Sequence, residues 1–502
     1  MSSSESPSVN PWLRGAIAAG AARGNTLSDG RFQVPYAALE ALLTEWESFL
    51  ARHGVTREGP VVLECAASVP GVLTVLALLR AGSSFALLPP PARTGTPPPP
   101  PRFFPLRVRV RSLYDLEPNA PLSPEALLEV TSLEGARSPP EGEAGAPGRL
   151  FLRTSGSLGT PKLVVHSQAL LLGNALHCVE RLRLTAEDLI CLPVPIAHMY
   201  GLGAGLLPGL AAGASIELLE GANLPRFLER EAQVRPTVAF LTPNLCTMLL
   251  RRRTAPGHYR HVVVAGDKLK PESFETAETL FRRVVNLYGS TELGVIATAD
   301  AEEARGPRST TVGRAVPGAG IQLRPVEGSQ DFEGEVGELW CRHPFPFLGY
   351  VDEDGQPWQG EPPFQDGWYR TKDLCRLHAD GLLEVLGRTD HGVKRDGRLV
   401  MLTDLERTVE RVPGVERAIA VLGGESLRGQ RLVVFCVPRD GQPLEGDAVR
   451  TACFELLPAY AIPDEVRPLA TLPLLPSGKV DRKALREAAT APAPVSPSQE
   501  RT

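Results

Sequence analysis

Hydrophobic positions along the chain fall into short blocks whose period switches between helix and strand. From Tyr36 to Leu88 the run AALEALLTEWESFLARHGV predicts a helix and VVLECA a strand. The apolar stretch from Val69 then predicts a buried helix, and SFALL a second strand. Strand, helix and strand in that order is the rhythm of a βαβ unit. Arg80 and Gly82 break the apolar stretch, leaving each side too short to cross a bilayer, so membrane insertion is not expected. The segment PPPARTGTPPPPPRFFP from Pro89 can be neither helix nor interior strand, because proline fixes φ and lacks the N–H; it is expected as a surface connection.

From about Leu150 the alternation resumes: RLFLR, a helix near Ala169 to Leu182, then DLICLPVP, ASIELL, TVAFLTP, HVVVAG and RVVNLYG. Several of these strands run straight into turns rich in Gly, Ser or Thr. Ligands of open α/β sheets gather at the carboxyl ends of strands, so those turns are the place to seek chemistry. Beyond Arg388 the pattern changes to VERAIAVL, RLVVFCV, AVRTACFELL and EVRPLATL, which predict a small α+β domain. The expected organisation is an α/β protein with an N-terminal extension over 1–30 and a large domain of layered sheets and helices over 31–387. A small mobile α+β domain over 388–487 and a disordered tail over 488–502 complete it.

Composition narrows the classes. Apolar residues at 43% and charged residues at 22% are globular values, and 502 residues suffice for more than one domain. The net charge of -5, with Lys and Arg dispersed, gives no footprint for nucleic acid. Eight cysteines lie far apart with no CxxC pair, which argues against zinc sites and a disulfide framework and fits a reducing cytoplasm. The N-terminal MSSSESPSVNPWLRG has neither the basic start nor the apolar core of a secretory signal.

Five segments carry candidate chemistry. RTSGSLGTPK, from Arg153 to Lys162, follows a strand and combines hydroxyls, two close glycines and a lysine, a set that can wrap phosphate oxygens. It is not a P-loop, since Pro161 stands where that motif has its second glycine. NLYGSTELG, from Asn286, offers an aromatic ring, hydroxyls and a carboxylate after a strand. DGWYRTKDL places Asp373 after a turn; LGRTDHGVKRDG, from Leu386, lies at the change in composition; LPSGKVDRKAL puts Lys479 on a glycine-flanked turn. Each alone is an ordinary turn, strand end or solvated lysine more often than a site.

Together and in order, the five segments resemble the signature motifs of the adenylate-forming superfamily, whose members include acyl- and aryl-CoA ligases, luciferases and peptide-synthetase adenylation domains. The likeness runs from about Tyr36 to Leu485. It implies a phosphate loop of Thr154, Ser155, Gly156, Ser157, Gly159 and Lys162, with Tyr288 and Gly289 at adenine, Thr291 at the α-phosphate and Glu292 on magnesium. It further implies Asp373 and Arg388 at the ribose and Asp390 as the hinge of the small domain. Gly397 would line a pantetheine tunnel, and Lys479 would serve adenylation and then withdraw. ATP, Mg2+ and coenzyme A, or the phosphopantetheine of an acyl carrier protein, are the implied cofactors and acceptors.

The segment PVPIAHMYGLGAGLLPGLAAGASIEL lacks the aspartate with which amino-acid-activating relatives hold an ammonium, and it is similar to that of benzoate-type ligases. A small aromatic or other compact carboxylic acid is therefore the expected substrate. His198, Tyr200, Gly201, Ala265 and Gly266 are its candidate pocket, with Met199 either pocket or core. Leu158, Lys372 and the segment LVMLTDLE depart from the pattern. Two other functions stand beside the ligase: an acyltransferase of the same fold moving an acyl group from its CoA thioester to a carrier protein, and a non-catalytic nucleotide-binding relative.

Overall fold

The computed structural model describes residues 9–91, 99–137, 142–154, 162–221, 224–253, 255–267, 269, 271–326, 334–359, 363–389, 392–395, 398–426, 429–439, 443–474 and 480–490. The βαβ rhythm is realised as two sheets sharing one core. In the first, the strands Leu189–Leu192, Ser215–Leu218, Val238–Leu241, His261–Val264 and Val284–Ser290 run parallel, so their carboxyl ends open on the same edge. In the second, Val61–Glu64, Phe85–Leu88, Leu106–Val110 and Arg149–Arg153 run parallel. Leu163–Ser167 and then Gly349–Val351 add antiparallel strands at one side. The helix Val69–Ala81 is buried at every position from Val69 to Leu79, which is why its sequence is apolar all round. Ser68 caps its first turn, and Gly82 ends it in the left-handed conformation.

Residues expected as an N-terminal extension are instead built into the large domain. The helix Val9–Ala22 buries Leu13, Ala16, Ile17 and Gly20. The strand Thr26–Ser28 pairs parallel to Ser215–Leu218, and the Asp29 carboxylate accepts the Val69 amide at 2.8 Å. The apolar spacing of Leu13 and Ile17, one helical turn apart, is the signal for that burial.

Between Gly320 and Arg388 further strands form a third sheet. Its strands Gly320–Arg324, Glu335–Arg342, Trp368–Leu377 and Leu383–Arg388 are antiparallel. The small domain follows, with long antiparallel strands Val415–Ser426 and Gly429–Pro438 and the helices Leu402–Val409, Gly446–Leu456 and Arg482–Thr490. Its last helix runs past the expected end at 487, because Ala489 is fully buried. The Arg251–Glu416 ion pair, at 2.6 Å, and the Thr403 hydroxyl donating to the Leu386 carbonyl join the small domain to the large one.

All eight cysteines are free and buried. Among the described residues no helix is long and apolar enough to cross a membrane.

Candidate active site

The strand Val284–Ser290 leaves the first sheet and runs into Thr291 and Glu292, where the other two sheets meet it. The Glu292 carboxylate accepts the Tyr350 hydroxyl at 2.8 Å, and that hydroxyl lies 3.2 Å from the Tyr369 hydroxyl. Tyr350 belongs to the second sheet and Tyr369 to the third. Burial raises the pKa of both phenols, so they act as neutral hydroxyls. Lys162 holds its Nζ 3.3 Å above the Tyr350 ring and 5.6 Å from that of Trp358, a cation–π placement. Desolvation lowers the Lys162 pKa, the Glu292 charge opposes that, and the Lys372 charge adds to it.

The phosphate-loop candidate is closed at its base. Thr154 donates from its amide to the Lys162 carbonyl at 3.0 Å and from its hydroxyl at 3.3 Å. Between these ends, Ser155, Gly156, Ser157 and Gly159, with Leu158, lie outside the described residues, as do Asp390, Gly397 and Lys479. Thr291 is fixed from below, where buried His166 donates from Nε2 to its carbonyl at 2.8 Å.

On the neighbouring flank the Tyr288 hydroxyl donates to Asp373, and Arg388 approaches the other Asp373 oxygen at 3.5 Å. Asp373 and Arg388 are paired across the third sheet, so strand register sets their contact. Burial, with the Asp373 charge next, raises the Tyr288 pKa well above its ordinary value and keeps the phenol a donor. Gly289 is the exposed residue that follows it.

The acid-pocket candidates gather at adjacent strand ends. The Tyr200 hydroxyl lies 3.1 Å from the Leu241 carbonyl and 2.9 Å from that of Val263, tying the two strands together. Tyr200 opens a π-helical segment running to Leu206, and such wide turns often mark functional sites. Gly201 has no alternative there, since a Cβ would come within 2.2 Å of the Pro195 carbonyl oxygen. Ala265 is buried directly after the strand His261–Val264, and Gly266 turns the chain with φ 95°. His198 is exposed on the preceding turn. Met199 is a core residue, its sulfur filling the space that a side chain at Gly203 would need.

The structure thus links Lys162 and Glu292 through Tyr350, and Tyr288 and Arg388 through Asp373, with Tyr200, Gly201, Ala265 and Gly266 at the ends of strands of the first sheet. Sequence reasoning missed His166, Tyr350, Trp358 and Tyr369. Tyr369 stands inside the GWYRTKD segment and was within reach of motif analysis, whereas Tyr350 is brought in only by the antiparallel pairing of Gly349–Val351 with Leu163–Ser167. A cavity of about 470 Å³ lies elsewhere, lined by Arg14, Glu40, Glu47, Arg57 and Arg80, and the Arg80 charge there is met by Glu40 and Glu47.

The sequence matches the family described as AMP-binding enzyme over residues 120–351 and the AMP-binding enzyme C-terminal domain over 404–479. It is 29% identical over 385 residues to the indoleacetate–CoA ligase of Aromatoleum aromaticum, covering 74% of this chain and 73% of that one. Over 350 residues it is 29% identical to the sulfoacetate–CoA ligase of Cupriavidus necator, covering 69% and 68%. The fold matches that of the anthranilate CoA ligase AuaEII in complex with anthranoyl-AMP, with a TM-score of 0.76 at 19% identity over 97% of this chain and 99% of that one. The first match spans the segments that begin at Arg153 and Asn286 and the second ends at Lys479, and the chain belongs to the family of AMP-binding, adenylate-forming enzymes.

Proposed function

We propose that the protein is an AMP-forming acid–thiol ligase that converts a compact aromatic carboxylic acid to its acyl-AMP. It then passes the acyl group to the thiol of coenzyme A or of a carrier-protein phosphopantetheine. The observation that carries this reading is that Lys162 and Glu292 meet at Tyr350 while the strand leading to Glu292 also brings Tyr288 onto Asp373, each of the three charged groups on a different sheet or its edge. A carboxylate is a poor electrophile; its oxygen attacks the α-phosphorus of ATP, the bond to pyrophosphate breaks, and the acid becomes a mixed anhydride. The thiol sulfur then attacks the acyl carbon, and AMP leaves with the bonding pair.

The chain's own groups suit these steps. Asp373, oriented by Tyr288 and Arg388, presents a carboxylate that can accept both ribose hydroxyls. Lys162 offers an ammonium to the phosphates. Glu292 offers one carboxylate, and among the described residues no group of three or more metal-ligating side chains exists. That fits magnesium, which is held by one or two carboxylates plus substrate phosphates. Bound there, magnesium would neutralise charge that develops on the phosphates. Lys479, by family resemblance, would add a second charge during adenylation. Acyl transfer from coenzyme A to a carrier protein would leave Lys162, Glu292 and Asp373 without a role.

The residues from Pro193 to Gly213 include no carboxylate to hold a substrate ammonium. The indoleacetate and anthranilate ligases named above act on aromatic acids, which supports the same class here. Acid-dependent pyrophosphate exchange across benzoates, amino acids and C8 to C16 fatty acids tests the reading. Exchange strongest with substituted benzoates is expected, and a preference for amino acids or long chains overturns the pocket assignment.

A further inference from the structure

Beyond the strand Gly349–Val351 the chain turns back on itself. Val351 bridges antiparallel to Pro357, and the Trp358 amide donates to the Tyr350 carbonyl at 3.1 Å. The Asp352 carboxylate accepts the amides of Asp354 and Gln356 at 2.9 and 2.8 Å, which closes the turn between them. The turn is also anchored from outside. The Glu353 carbonyl accepts the Arg102 amide at 2.7 Å, and a Cβ on Gly355 would come within 3.0 Å of the Phe103 ring.

Sheet register carries this turn across the strand that follows Lys162. Val351 pairs with Leu163 and Leu163 pairs with Arg153, so they form one row across the second sheet. Just beyond that row the Glu353 carboxylate meets Arg153 with both oxygens, accepting from Nε at 3.0 Å and from Nη2 at 2.6 Å. The Arg153 and Glu353 side chains are only 16% and 25% exposed, so the bidentate pair is shielded from solvent better than a surface one. On the returning arm, Trp358 lies 5.6 Å from the Lys162 ammonium, which already rests 3.3 Å above the Tyr350 ring.

Lys162 is thus framed on every level. Thr154 holds its carbonyl, the Arg153–Glu353 pair spans its strand, and the Tyr350 and Trp358 rings orient its ammonium. An aromatic face attracts an ammonium without the negative charge of a carboxylate, so the charge stays available to an incoming anion. Neither Glu353 nor Trp358 belongs to a motif segment.

We propose that Glu353 and Trp358 are positioning residues for Lys162, the turn over 351–358 being a brace that holds the ammonium where it meets the phosphate chain of ATP. This rests on the adenylating reading of the site and adds to it residues that distinguish ATP from AMP.

The test is calorimetric binding of ATP and of AMP, with magnesium present, to the full chain as wild type, Glu353→Gln, Trp358→Leu and Trp358→Phe. Glu353→Gln keeps the shape of the side chain but loses the charge and the bidentate contact, and is expected to weaken ATP about 10-fold. Trp358→Leu removes the ring and is expected to weaken ATP about 5-fold, whereas Trp358→Phe keeps an aromatic face and is expected to stay within about twofold of wild type. AMP affinity is expected to hold in all of them, which a general disturbance of the fold would not allow. The two positions reach Lys162 by separate routes, so loss of folding in one variant leaves the other to decide. ATP affinity equal to wild type in Glu353→Gln and Trp358→Leu overturns the proposal, as does an equal weakening of AMP or a Trp358→Phe as weak as Trp358→Leu. A wild type that binds neither ATP nor AMP overturns the adenylating reading itself, a result distinct from any of these.

Discussion

Glu292→Gln is expected to slow acyl-AMP formation by about 100- to 1000-fold, the usual effect of removing one preorganised electrostatic contact to developing charge. The substitution isolates charge from shape. An amide oxygen at position 292 still accepts the Tyr350 hydroxyl, so the link between the second and third sheets through Tyr350 and Tyr369 is retained. The Thr291 carbonyl remains on His166, and the backbone around the site has no cause to move. Thermal unfolding should accordingly stay near that of wild type, while single-turnover formation of acyl-AMP falls. A rate within threefold of wild type would show that Glu292 holds the sheets together and nothing more.

The second large effect concerns acid. His166, His261 and His343 are buried, and burial pushes the pKa of each down from 6.5 to about 4. His343 is locked as the neutral ring, donating from Nε2 to the Val295 carbonyl at 3.0 Å and accepting the Phe345 amide at Nδ1 at 3.1 Å. Neither ring nitrogen of His261 has a hydrogen-bond partner among the described residues, so a charge there would be uncompensated. Between pH 6.5 and about 4 the unfolded chain therefore binds more protons than the folded one, and stability falls as pH falls.

Each of the three contributes on the order of 3 kcal/mol above pH 6.5 that is gone by pH 4. Together they rival the whole stability of an ordinary domain, about 5–15 kcal/mol. All three lie in the large domain, so its cooperative unfolding is expected to move to much lower urea between pH 7.5 and pH 5. A urea midpoint unchanged over that range would contradict the neutral, buried state of these rings.

Much of this fold is legible in the sequence because parallel strands buried on both faces are written as short unbroken apolar runs. HVVVAG and RVVNLYG are strands for that reason, and the turns that end them carry Gly266 and Glu292. The antiparallel third sheet was harder to see. Its strands are half-exposed and short of continuous apolar runs, as the mixed burial of WYRTKDLCRL shows, and its pairings join segments distant in the chain. The motif segments point to Glu292 and Asp373, but not to the hydroxyls that orient them, since Tyr350 reaches Glu292 across 58 residues and Tyr288 reaches Asp373 across 85. Lys372 is the reverse case: the sequence marks it as a departure, and only the backbone shows that the departure is left-handed.

In the proposed reaction the acid's own oxygen attacks the α-phosphorus of ATP. The most direct measurement uses a benzoate labelled in its carboxylate with oxygen-18, turned over with ATP and coenzyme A or a holo carrier protein, and follows the label by mass spectrometry. Because the thiol attacks the acyl carbon and expels AMP through the bridging oxygen, one labelled oxygen is predicted in AMP and the other in the thioester. Label appearing in inorganic phosphate, with ADP as the nucleotide product, would contradict the account, as would a thioester formed with no labelled AMP.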